Sequence, residues 1–102
     1  FSACGAEGFD RAIEEAGCRA WVVGGIEAHV CVNQTVLDLL ARGLEVHVAA
    51  DAVSSRAARN RELGLRRMEA AGAVVTSAEM ALFEMMETAG TDEFKSISRL
   101  VR

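Results

Sequence analysis

Proline is absent from this sequence, and cysteine occurs only three times, at Cys4, Cys18 and Cys31. No Pro-rich linker is possible, and no other low-complexity stretch interrupts the chain. An odd number of cysteines without C-x-x-C spacing argues against both a disulfide framework and a structural zinc site. Free thiols are expected. No apolar run approaches the roughly 20 residues that a membrane span needs. No basic start followed by an apolar stretch marks a secretion signal, which leaves the cytosol as the expected compartment. Excess positive charge is lacking as well. The formal net charge is −4, with acids and arginines interleaved, so an electrostatic grip on nucleic acid is not expected.

What remains is the composition of an ordinary globular domain, 51% hydrophobic and 25% charged. At 102 residues the chain allows one domain, burying roughly 65% of its unfolded surface.

Short apolar runs alternate with longer helical patterns. Asp10 to Ala16 reads as the end of a helix, capped by Gly17. Ala20-Trp21-Val22-Val23 reads as a buried strand that stops at Gly24-Gly25. Val32, Val36, Leu39 and Leu40 then recur at helical steps until Gly43. Leu44 to Ala50 is the second strand, followed by Asp51. A third helix is expected from about Ala57 to Ala71, and a third strand at Ala73-Val74-Val75. Thr76-Ser77-Ala78-Glu79 has the form of a capping box opening a further helix with Met80, Phe83 and Met86. The tail after Gly90 reads as a short amphipathic piece docked on the body.

This order is the βαβ signature of an α/β fold with a parallel sheet. Ligands of such sheets bind where strands end and helices begin. Three loops qualify: Gly24 to Val30, Asp51 to Arg56, and Thr76 to Glu79. Three strands make a thin sheet, so further strands are expected from elsewhere.

Cys31 carries the most information. It falls a few residues past a strand, on the first turn of the following helix. Amides and the positive end of the helix dipole converge there, which favours a thiolate nucleophile and could hold an oxyanion. The opposing reading is a small apolar residue packed in the core. His29, two residues earlier, points to a different side of a helix from Cys31 and reads as a loop histidine or substrate contact rather than a base. His47 reads as a core or sheet-face residue. Neither histidine has metal-ligand company, and no metal or cofactor is expected.

Gly24-Gly25 lacks the G-x-G-x-x-G pattern of a dinucleotide site. Asp51 and Ser54-Ser55-Arg56 suit loop and helix-cap roles. The arginines at 56, 59, 61, 66 and 67 read as a solvated or subunit-facing surface. Met80, Met85 and Met86 read as core or interface filler, and Cys4 and Cys18 as structural.

The segment Val22-Val23-Gly24-Gly25-Ile26-Glu27-Ala28-His29-Val30-Cys31-Val32-Asn33-Gln34-Thr35-Val36 resembles the core motif of the isochorismatase-like cysteine hydrolases. Asp51-Ala52-Val53-Ser54-Ser55-Arg56, Arg67-Met68 and Gly72-Ala73 follow in that family's order. The resemblance is strongest to the branch of isochorismatase-domain-containing proteins. It implies a three-layer Rossmann-like sheet of about six parallel strands. Residues 1–102 would supply the C-terminal half of that single domain.

The resemblance further implies that Cys31 is the nucleophile in hydrolysis of a small amide or related C–N substrate through a thioester-type intermediate. It implies a cis peptide between Ile26 and Glu27, and an oxyanion hole from the backbone amides of Glu27 and Cys31. The family's acid–base aspartate and a lysine would lie before Phe1, and Lys95 cannot replace that lysine. An N-terminal half of the same domain is therefore an expected partner, along with a small-molecule substrate and further copies in a homo-oligomer through Leu82-Phe83 and Met85-Met86. A non-catalytic or redox-responsive fold relative acting by oligomerisation or partner binding is the alternative.

Overall fold

The computed structural model describes residues 1–101. Helix α1, Glu7–Ala16, ends at Gly17, whose φ of 63° is the left-handed turn that glycine enters without steric cost. Strand β1, Ala20–Ile26, leads into a π-helical turn, Ala28–Val32, which continues as α2, Asn33–Ala41. Then come β2, Glu45–Ser54, α3, Ala58–Ala70, and β3, Val74–Thr76. Helices α4, Ala78–Met86, and α5, Asp92–Leu100, follow.

The strands form one parallel sheet in the order β1-β2-β3. Val23 lies opposite Val48 and His47 opposite Val74, so each strand steps outward from β1. Val46 and Val48 alternate with Glu45 and His47, which sorts them to opposite faces. The valine face meets α2 and α3 in a core of Val36, Leu39, Val46, Val48, Val53 and Met68, with Ala28 and Val32 of the π-helical turn built into it. Helix α4 packs against β2 and buries Ala81. The architecture is α/β, a parallel sheet flanked by helices, as a partial Rossmann-like fold requires.

Several expectations need correction. Strand β1 is not buried: Val22 is 51% and Ile26 71% exposed. Among the described residues β1 pairs only with β2, so its outer edge and part of its face lack a neighbour. Nor does β1 stop at the glycines. It bulges between Val23 and Gly25, where φ of 131° at Gly25 admits the irregularity, and pairing resumes at Gly25 with Val53 and Ile26 with Ser54. Strand β2 accordingly runs four residues past Ala50, through Asp51, to Ser54.

The cap of α4 is Ser77 rather than Thr76, its side chain accepting from the Met80 amide. Thr76 is instead buried as the last residue of β3. Met80 and Met85 are exposed, because α4 presents only its Ala81 side to the sheet, so they are not core. Helix α5 buries no residue fully and meets α4 through an edge-on contact of Phe94 with Phe83, centroids 6.0 Å apart.

Candidate active site at the end of strand β1

The site is built by the transition from β1 to α2. The Ile26–Glu27 peptide is cis. After it the chain winds wider than an α-helix, the Val32 amide reaching back to the Glu27 carbonyl at 3.1 Å. Ala28 and His29 open this helical stretch, and amides in such positions have no carbonyl one turn behind them. Ala28 and Val32 face the core and anchor the turn. Cys31, between them in sequence, is half-buried and lines a cavity of about 380 Å³ together with Gly24, Gly25, Ile26 and Thr35. Cys31 thus borders open space at the carboxyl end of β1.

The turn is held from two sides. Helix α3 approaches so closely at Gly64 that a β-carbon there would lie 3.0 Å from the Ala28 carbonyl oxygen and 3.0 Å from His29 Cα. From the other side comes the loop after β2. His29 Nδ1 is hydrogen-bonded to Ser55 Oγ at 2.9 Å. The Glu27 carboxylate accepts from the Arg56 backbone amide at 3.1 Å and from Arg56 Nε at 2.9 Å. A second, smaller cavity of about 230 Å³ lies among Ile26, Glu27, Ser54, Ser55 and Arg56. Asn33, the next residue after the turn, is buried, and its Oδ1 meets no donor among the described residues.

The sequence allows either Ser54 or Ser55 as a helix cap, and neither takes that role: α3 begins after Ala57 without a side-chain cap. Ser55 is occupied by His29 instead. That link joins residues 26 apart, and no local pattern announces it. Asp51 does orient a loop, its carboxylate accepting the Ala78 amide at 2.8 Å and so tying β2 to the start of α4. The arginines of α3 are exposed except Arg61, which is half-buried and donates to the Val53 and Ala50 carbonyls, along the stretch of β2 where the β1–β2 register shifts. His47 lies on the sheet face and pairs with Glu45 at 2.7 Å. Cys4 packs against the core while Cys18 is exposed, and all three cysteines are free. No helix among the described residues is long and apolar enough to cross a membrane, and no group of three or more His, Cys, Asp or Glu side chains is placed to hold a metal.

A strand that ends at Ile26 and is followed within one helical turn by a half-buried cysteine lining a cavity is an arrangement suited to acyl-transfer chemistry. The family model of the isochorismatase domain matches residues 1–80. A secreted isochorismatase effector of Phytophthora sojae is 54% identical over 78 residues, covering 76% of this chain and 37% of the relative. Among solved structures, the MAR1 ribonuclease of Caenorhabditis elegans superposes with a TM-score of 0.89 at 38% identity, over 98% of this chain and 50% of that one. YcaC of Pseudomonas aeruginosa, solved with hexane-2,5-diol and covalent acrylamide, gives 0.83 at 27% identity, over 89% of this chain and 46% of that one. YcaC of Escherichia coli, described as an octameric hydrolase of unknown specificity, gives 0.66 at 28%, over 68% and 34%.

The chain belongs to the isochorismatase domain family, and its fold is of the hydrolase type found there. It spans half or less of the length of each of these relatives.

Proposed function

We propose that residues 1–102 are the C-terminal portion of a single isochorismatase-like domain that hydrolyses a small amide or related C–N substrate, with Cys31 as nucleophile. One observation carries this reading: Cys31 stands on the first turn after β1 and lines a cavity instead of being enclosed by the core. The covalent acrylamide in the Pseudomonas relative supports a nucleophile in this fold.

In the proposed reaction the Cys31 sulfur attacks the substrate carbonyl carbon. The carbonyl oxygen takes the negative charge and rests against the backbone amides of Glu27 and Cys31. The C–N bond then breaks, the nitrogen leaves with a proton, and a thioester to Cys31 remains. Water attacks the thioester, releasing the acid and restoring the thiol. The proton carrier belongs to the part of the domain outside this chain, where the family resemblance puts an aspartate and a lysine.

The open edge of β1, whose exposed Val22 and Ile26 line the same cavity as Cys31, is where we infer that the rest of the sheet pairs and closes that cavity. Exposed Met80, Phe83 and Met85 on α4 suit a contact between copies, in keeping with the octameric relative. Three free thiols suit a reducing compartment such as the cytosol.

The test is an assay of the full-length protein and its Cys31→Ala variant against a panel of small amides. Turnover abolished by the substitution supports the proposal. Turnover that survives it excludes nucleophilic catalysis by Cys31. An RNA substrate belongs in the same panel, because the Caenorhabditis relative is named a ribonuclease. A net charge of −4 speaks against that reading here.

A further inference from the structure

Four residues from two loops close a ring beside the nucleophile turn. Ser55 and Arg56 are consecutive on the loop after β2, while Glu27 and His29 alternate along the turn that leads to Cys31. Ser55 Oγ meets His29 Nδ1 at 2.9 Å, and the Arg56 amide and Nε both reach Glu27 Oε1, at 3.1 and 2.9 Å. His29 Nε2 lies 3.8 Å from Glu27 Oε2, which completes the ring.

We propose that this ring is a clasp that positions the nucleophile turn, with Ser55 as its principal positioning residue. The inference rests on the reading of Cys31 as nucleophile. The ring is not equally strong throughout. The Arg56 side chain is 85% exposed, and an ion pair with so wet a partner contributes little. Glu27 and His29, in contrast, are about four-fifths buried, at 21% and 19% side-chain exposure. Their bonds to the Arg56 amide and the Ser55 hydroxyl are therefore the ones that constrain the turn. These bonds fix its residues on either side of Ala28, whose own side chain is locked in the core. With 27, 28 and 29 held, the direction of the Cys31 sulfur and its amide is set before any substrate arrives, as an electrostatically prepared site requires.

The test uses the full-length protein and needs no substrate. Ser55→Ala and Ser55→Thr are compared with wild type by amide hydrogen exchange, and by iodoacetamide labelling of Cys31 with exposed Cys18 as internal control. Ser55→Ala is expected to speed exchange in residues 28–32 about tenfold, the size expected for one lost hydrogen bond. It should also slow labelling of Cys31 relative to Cys18, and lower the thermal midpoint by no more than the several degrees that one hydrogen bond is worth. Ser55→Thr, which keeps the hydroxyl, should restore both rates.

Unchanged exchange in 28–32, or an Ala variant whose Cys31 labels as wild type, would each overturn the clasp. Failure of the nucleophile reading appears separately, as amide turnover that survives Cys31→Ala.

Discussion

Gly64 on α3 and Ala28 in the π-helical turn after β1 are in backbone contact: a β-carbon on Gly64 would lie 3.0 Å from the Ala28 carbonyl oxygen. The obstacle on each side is main chain, which cannot rotate away. Although alanine favours helices over glycine, Gly64→Ala is expected to destabilise the chain by about 1–3 kcal/mol through overpacking. Urea unfolding measures it. A variant as stable as wild type would show that α3 can slide away from the turn.

Val22 lies on β1, whose outer edge has no partner strand among the described residues, and is half-exposed. Replacement by lysine should cost no more than about 0.5 kcal/mol of the chain's own stability, because the side chain already meets water. Pairing with the remainder of the domain should be blocked, since a charge on the edge opposes strand addition. Co-purification with the N-terminal half of the Caenorhabditis relative reads this out, and undiminished capture by Val22→Lys would place the contact elsewhere.

Both carboxylate oxygens of Asp10 share the single Gly5 N–H, at 3.0 and 2.9 Å, and Oδ1 accepts from Arg42 at 3.0 Å. The Gly5 bond foremost, and then the guanidinium, hold its carboxyl below the usual carboxylate range. A carboxylate whose pKa is depressed by folding stabilises the native state above its unfolded value and ceases to do so as pH falls through the folded one. The stability difference between wild type and Asp10→Asn should therefore be full at pH 7 and shrink below about pH 4. Urea midpoints at pH 7 and pH 3 decide the matter, and a difference that does not change with pH refutes it.

Ser77 caps α4 through the Met80 amide at 3.1 Å. Ser77→Ala should cost about 1 kcal/mol, whereas Thr76→Ser, one residue earlier, leaves the cap untouched. Denaturation of the two variants separates the cap from its neighbour.

Much of the fold could be read from residue order alone. β-Branched runs mark the three strands, and Gly17, Gly43 and Gly72 mark the turns between elements, because periodicity and glycine act locally. The exposure of β1 could not be read, since burial of a strand depends on a neighbour that its own residues do not name. Small residues hid the end of β2: Asp51-Ala52-Val53-Ser54 looks like a loop and is strand because the β1 bulge re-aligns its partners. At the site, the position of Cys31 after β1 was legible, while the Ser55–His29 bond and the half-buried Arg61 were not. Both depend on segments brought together only by packing.

The account rests most heavily on a covalent bond to Cys31. Full-length protein mixed with the best amide of the panel and quenched in acid should carry an acyl group on the peptide containing Cys31, and the adduct should form and decay as fast as turnover. Turnover with that peptide unmodified, the acyl group instead on another side chain or on none, would contradict it.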